Sequence, residues 1–271
     1  GWRWIISSSA VLAVITLVVR LGSPESPSWT LSKKGAGAAL NLVHTHLGSQ
    51  YALPEQEKEV PSASFFRLFS PELWRNTVTS CTFFLCQVLP FFAISIFLPV
   101  VVKGLHIANP HASGMMYNGF TMVGVIIGIL IADKISRRAF LLWTFYGAGA
   151  ILALMTVWQE MPPTLAFVLL GAFSTVLAIS IVAEWLYPPE LFPTELRGSG
   201  VGLTIAASRI GAGMGTWMLP VVTEQYGVTT TLVCCIGSLV VGGLVCQLLA
   251  PETSPKFAPK PVGANAGYVK A

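Results

Sequence analysis

One arginine, Arg209, stands midway along Gly198–Thr223, a stretch with no other charged residue. A guanidinium in such a run costs upward of about 2.5 kcal/mol unless it meets water or a partner. Its rigid fork of donors matches a carboxylate bidentately, so the chemistry it offers is capture of an anionic group along a polar path. The structural alternative is a pair with Glu184. That acid follows directly on the uncharged run Met161–Ala183 and has Trp185 beside it. A partly buried carboxyl there can carry a proton, or it can bridge to a loop arginine. Gln87, Asn118 and Thr121 are polar residues inside apolar runs. Each must face a partner helix or water, which makes all three candidates to line a substrate cavity. Tyr117 and Phe91 either stack on a ligand or pack in a core.

A second group of charges lies between the apolar runs. Asp133, Arg137 and Arg138 form one cluster, and Glu190, Glu195 and Arg197 form another. On composition alone both read as solvated faces. His44 and His46 have no third ligand near them, and Gly35-Ala36-Gly37 has no strand before it and no Lys-Ser/Thr after it. With no nucleophile elbow and no H-E-x-x-H motif, nothing supports an enzyme, a metal centre or a cofactor. The five cysteines sit in apolar runs without zinc-ligand spacing and read as small buried hydrophobes.

The elements that carry these residues are set by the composition. Of the 271 residues, 54% are hydrophobic and 10% charged, with a mean hydropathy of +0.69. An ordinary soluble domain has roughly 25% charged residues. The net charge of +4 is spread among short loops, and no basic run interleaved with aromatics suggests nucleic acid. Uncharged stretches run over Trp4–Val19, Asn76–Val102, Gly104–Ala132, Ala139–Gln159, Met161–Ala183 and Gln225–Pro251, and Gly198–Thr223 joins them around Arg209. Runs near 20 residues without period-two alternation mean helices crossing a bilayer, since every backbone amide must be bonded within its own element. The expectation is an all-α polytopic protein with seven transmembrane helices.

The Lys and Arg distribution orients it. With 20–75 placed inside, only Arg3 and Lys103 fall outside, and Arg209 lies within a span. The positive-inside rule then puts the C-terminus in the cytoplasm and residue 1 on the far side. A first residue at the lip of a helix gives the further expectation that an N-terminal part precedes Gly1. The domains expected are a first helix over 1–21, a cytoplasmic linker over 22–75 with one short amphipathic helix, a six-helix bundle over 76–250 and a cytoplasmic tail over 251–271. Small-residue pairs Gly124/Gly128, Gly198/Gly202 and Gly211/Gly215 suit close helix packing, while Pro90, Pro99 and Pro188-Pro189 are candidate kinks.

Several motifs then coincide in order. Trp2-Arg3-Trp4 opens the first helix and Pro24–Trp29 follows it. G-I-L-I-A-D-K-I-S-R-R spans Gly128–Arg138, P-E-L-F-P-T-E-L-R-G-S-G spans Pro189–Gly200, and Pro251-Glu252-Thr253 follows the last helix. This ordered set resembles the major facilitator superfamily, closest to its sugar-porter-like and metabolite:proton symporter branches. The resemblance implies two six-helix halves, with this chain corresponding to helix six, the central loop and helices seven to twelve. It implies that Asp133, Arg137, Arg138, Glu190 and Arg197 form a cytoplasmic gate, pairing when the carrier faces outward and parting when it opens inward. Trp185 falls where sugar porters carry a cavity tryptophan, although an interfacial anchor is the plainer reading. Arg197 and Arg209 look like the arginine pair of aromatic-acid:proton symporters. Gln87 alone stands where sugar porters carry paired Gln-Gln and Ile-Asn, which favours an organic acid over a sugar.

The expected function is secondary active transport of a small organic metabolite, an organic acid, by proton symport with alternating access in the plasma (inner) membrane. Its partners would be that substrate, protons, the bilayer and the missing N-terminal half. A sugar:proton symporter is the alternative, and a seven-helix receptor or a truncated, non-functional product are those of another class.

Overall fold

The computed structural model describes residues 2–23, 25, 27–46, 48, 64–96, 98–99, 102, 110–158, 160–193 and 195–254. The acidic linker around Glu55–Glu59, Lys103 and most of the expected tail lie outside them. The regular elements among the described residues are all helices, with no strand.

The chain divides into two compact units, one containing Gly1–Val60 and the other formed by Pro61–Lys260. In the first, α1 (Trp2–Leu21) leaves Val11, Leu12, Ile15 and Val18 exposed along its length. Helices α2 (Pro27–Lys34) and α3 (Ala36–His46) meet at Gly35, whose φ of 87° is left-handed backbone that suits glycine. Thr30, Ala39 and Val43 are buried there. The helical spacing of Ala36, Ala39, Leu40 and Val43 falls on α3, and α2 is a further helix on the other side of Gly35.

The second unit opens with a short 3-10 helix, Phe65–Phe69, followed by α4 (Trp74–Ile96), α5 (Pro110–Ile131), α6 (Arg137–Val157), α7 (Pro163–Leu191) and α8 (Arg197–Leu249). The starts follow local chemistry. Ser136 caps α6 by accepting a hydrogen bond from Ala139 N at 3.2 Å, and Pro163 opens α7 where its missing N–H costs nothing.

Helix α8 is really two, broken at Gly227, where φ is 84° and ψ 169°. A Cβ at Gly211 would lie 2.5 Å from the Leu85 carbonyl oxygen, and one at Gly242 would lie 2.7 Å from the Cys86 Cβ. Leu85 and Cys86 are neighbours on α4, so the two segments fold back on each other and pack on α4 at one level. Gly215 meets Leu89 a turn further along, and Gly124 and Gly128 bring α5 onto Thr175, Ile179 and Val182 of α7. Two of the three expected glycine pairs are therefore contact points, whereas Gly198 and Gly202 have nothing within 4 Å. Phe83 is the hub of the core. It makes edge-on contacts with Phe84, Phe145 of α6 and Tyr187 of α7. The five cysteines are free, but only Cys86, Cys235 and Cys246 are buried; Cys81 is half-buried and Cys234 exposed.

Among the described residues, five helices are long and apolar enough to cross a membrane: Trp74–Ile96, Gly114–Ile131, Arg137–Val157, Pro163–Leu191 and Pro220–Leu249. The expected count of seven is not reached on that measure. The apolar part of α1 is the shorter run Ser7–Leu21. The first segment of α8 holds Arg209 with Ser199, Thr204, Ser208 and several glycines, a composition that suits a helix bordering a polar space.

Candidate functional site

Three helices of the second unit enclose a cavity of about 210 Å³. Its residues recur at helical spacing: Phe84, Gln87, Phe91 and Phe92 on α4; Ile181, Glu184, Trp185 and Pro189 on α7; Val201, Ile205, Ser208 and Arg209 on α8. Each helix thus turns one stripe toward a common centre. The volume is below the roughly 300–1,000 Å³ of drug-sized sites and suits a small metabolite.

The polar groups of the cavity are differently placed. Gln87 is buried, with Nε2 donating to the Leu177 carbonyl at 3.3 Å and Oε1 accepting from the Ser180 hydroxyl. Thr144 of α6 donates to that same Ser180 at 3.2 Å, so Gln87 ends a polar brace through three helices. Arg209 and Glu184 line the cavity from facing helices, and no ion pair joins them among the described residues. Trp185 is 73% exposed and forms part of the wall. Of the expected substrate residues, then, Gln87, Trp185 and Arg209 meet, together with Glu184. Asn118 and Thr121 do not line this cavity; they return their hydrogen bonds to their own helix, at Gly114 and Tyr117. Tyr117 is core, 4% exposed, with its hydroxyl 3.2 Å from Ser95.

A second constellation gathers the loops at one end of the bundle. Arg137, at the start of α6, is buried, yet it meets Glu190 of α7 at 3.1 Å and Asp133 at 3.6 Å and donates to the Ala132 carbonyl. The two loop clusters expected from sequence are thereby joined through one pair. After α8 the chain folds back across this end. The Glu252 carboxylate accepts from the backbone N–H groups of Arg137 at 2.9 Å, Arg138 at 3.2 Å and Ser254 at 3.0 Å. Burial pushes the Glu252 carboxyl upward, but these donors and Ser136 outweigh it and hold the group below its ordinary value. Thr253 donates to Glu190, and the Tyr187 hydroxyl donates to the Pro251 carbonyl at 3.0 Å. Asn76 ties the start of α4 to the same end through the Leu191 carbonyl, at 2.8 Å. Of the expected gate, Asp133, Arg137 and Glu190 come together. Arg138 bonds instead to the Gln247 carbonyl, and Arg197 is exposed and in no ion pair among the described residues. Glu252, Thr253, Tyr187 and Asn76 were not foreseen as members. The Pro251-Glu252-Thr253 motif was the one available signal.

No group of three or more His, Cys, Asp or Glu side chains suited to a metal occurs among the described residues.

Comparison with known proteins gives a consistent answer. Residues 1–258 match the family described as "Sugar (and other) transporter". The inner membrane metabolite transport protein YgcS of Escherichia coli (strain K12) is 33% identical over 267 residues, covering 98% of this chain and 59% of that protein. YaaU of the same organism is 32% identical over 266 residues, with 93% and 57% covered. The glucose transporter GlcP of Staphylococcus epidermidis is 24% identical over 241 residues, with 83% and 53% covered. The chain thus spans little more than half the length of these relatives, which are named as transport proteins and not as enzymes. The ordered loop motifs, the all-helical build and a family match over nearly the whole chain lead to one conclusion: this chain belongs to the sugar (and other) transporter family, within the major facilitator superfamily.

Proposed function

We propose that the chain supplies the substrate-facing C-terminal bundle of a secondary active transporter for a small organic anion, coupled to protons. The observation that carries this reading is the placement of Arg209 and Glu184 in one apolar, aromatic-walled cavity without a bond between them. A guanidinium held in such surroundings gains most from a carboxylate, which it binds with two parallel hydrogen bonds. Glu184 takes up the coupled proton within reach of the same space. Its charge then changes with loading, and so does the preference between two packings of the carrier.

The end built on Arg137, Glu190 and Glu252 serves as the cytoplasmic gate, its bonds closing one mouth while substrate enters by the other. The Lys and Arg bias of the loops supports that end as the inner one, in a plasma (inner) membrane, with the C-terminus cytoplasmic. A second six-helix half completes the cavity; the coverage of little more than half of each relative supports this.

A second reading is a neutral sugar. It is favoured by Phe84, Phe91, Phe92 and Trp185 around the cavity, since apolar ring faces stack on aromatics, and by relatives such as GlcP, named a glucose transporter. Uptake by the intact carrier decides between them. Arg209→Ala abolishes uptake if the substrate is an anion and leaves it largely intact if the substrate is a neutral sugar. Glu184→Gln tests the coupling role: accumulation against a gradient should be lost while exchange persists.

A further inference from the structure

The sequence Glu184-Trp185-Leu186-Tyr187-Pro188-Pro189 places two prolines in the last turns of α7, which nonetheless stays helical to Leu191. Proline has no N–H. The Trp185 carbonyl would ordinarily accept from residue 189 in an α-helix, or from residue 188 in a tightened 3-10 turn. Both donors are missing. The next N–H, of Glu190, is taken by the Leu186 carbonyl as the helix continues. Trp185 is therefore the residue of α7 whose carbonyl loses both of its local donors. Glu184 differs, because the N–H of Tyr187 remains three residues on.

An acceptor without a partner in a membrane helix is costly and must be met from outside the helix. Trp185 and Pro189, the residues at the two ends of the broken hydrogen bond, both line the cavity that holds Arg209. The acceptor thus belongs to the stripe of α7 that borders the space where an anion would sit. A ligand that satisfies both groups carries a carboxylate for the guanidinium and at least one hydroxyl to donate to the carbonyl.

We infer that the substrate is a hydroxylated carboxylic acid of the sugar-acid type, with its carboxylate on Arg209 and a hydroxyl donating to the main-chain oxygen of Trp185. This rests on the reading of Arg209 as an anion site and adds the second contact. A site built to bond a substrate hydroxyl strongly rejects the analogue lacking it, because its own polar group is then left unpaired. A neutral sugar satisfies the carbonyl and leaves Arg209 bare, whereas a plain fatty acid does the reverse.

The test is equilibrium binding to the intact carrier in membrane vesicles, with D-gluconate, hexanoate and D-glucose as probes at one ionic strength. Gluconate is expected to bind at least tenfold more tightly than either of the others. Hexanoate binding as tightly as gluconate would overturn the hydroxyl contact and leave the anion reading standing. Glucose binding as tightly as gluconate would overturn the anion reading itself, and binding of none of the three would overturn the inference. Pro189→Ala returns an N–H to the helix and occupies the Trp185 carbonyl, so the gap between gluconate and hexanoate should close. A gap that persists in this variant removes the carbonyl from the site. Should the variant not fold, the wild-type carrier with gluconate stripped of one hydroxyl at a time gives the same decision: one deletion should cost about as much as the full gap, and an even, gradual loss would overturn the assignment.

Discussion

The bundle contains two arginine–glutamate settings, and they are opposites. At the charged end, Arg137 is buried and fully engaged by Glu190, Asp133 and the Ala132 carbonyl. In the cavity, Arg209 and Glu184 border the same space with no ion pair between them. The same two residue types thus do different work. A satisfied pair clamps elements together, and its worth lies in geometry. Where no salt bridge forms, the guanidinium keeps donors that a carboxylate can engage, which is what the proposed anion site requires. Sequence alone set Arg209, inside an apolar run, apart from Arg137, between two of them, but charge and position say nothing about which arginine's donors have found acceptors.

The contrast predicts different kinds of damage. Arg209→Ala should reduce anion uptake by at least about 100-fold, or roughly 2.7 kcal/mol, while shifting the unfolding midpoint in detergent by less than about 0.5 kcal/mol. A large loss of stability with modest loss of uptake would make Arg209 a clamp and dissolve the comparison. Glu190→Ala should show the reverse. It strands the buried Arg137 guanidinium, and removing one partner of a fully buried pair costs about 3–5 kcal/mol. Glu190 keeps 28% of its side-chain surface exposed, so about 2 kcal/mol is the sensible expectation after discounting for solvent. Denaturant titration of the purified carrier measures it.

The two settings were also unequally legible. The cavity's Arg209, Glu184, Trp185 and Gln87 stood out because a polar or amphipathic group inside an apolar run demands an explanation. Phe84, Ile181 and Ile205 line the same space but gave no signal. In helices that are apolar almost all round, one face is not marked off from another until the neighbours are known. Asn118 and Thr121 show the limit of the polar-residue argument. A side chain that can turn back to its own helix's carbonyl needs no cavity. The charged end was half visible. The loop motifs named Arg137 and Glu190, but Tyr187 and Pro251 lie 64 positions apart, and nothing local announces that they touch. The break at Gly227 was placed correctly in outline by the end of one uncharged run and the start of the next, with Glu224 between them.

Acidification should separate the two ends further. The Glu252 carboxyl is held below its ordinary value of 4.5 by the N–H groups it caps. A group whose folded value is depressed contributes stability above its unfolded value and loses it as the pH falls through the folded one. The tail's hold on α6 should therefore be constant from neutral pH down to about 4.5 and weaken below it. Hydrogen exchange at the amides of Arg137 and Arg138 would report this. Glu252→Gln should already exchange faster at neutral pH and show a flatter response to acid. An unchanged profile would mean that the tail is held by Tyr187 and Thr253 instead.

The smallest effect makes the sharpest comparison, because it concerns two prolines in two helices facing one cavity. Pro90 in α4 deprives the Cys86 carbonyl of its α-helical donor, as Pro189 does for Trp185, although the N–H of Leu89 remains three residues on whereas Pro188 has none. The outcomes differ. Ser238, on the second segment of α8, reaches the Cys86 carbonyl with its hydroxyl at 3.4 Å while also bonding Cys235, so α4 has its loss repaired from within the protein. Trp185 lines the cavity, and among the described residues no side chain repairs its carbonyl, which on the proposed reading is left to the substrate. Ser238→Ala should cost about 0.5–1 kcal/mol, the worth of one long, shared hydrogen bond, and should leave ligand selectivity untouched, because Cys86 does not line the cavity. Combined with Pro90→Ala, which gives α4 back its own donor, the Ser238 change should become nearly neutral. That non-additivity, read from the unfolding midpoints of the two single variants and the double variant, identifies the repair. Simple additivity would show that the Cys86 carbonyl is met in some other way, and the contrast between a repaired helix and an open one would have to be drawn again.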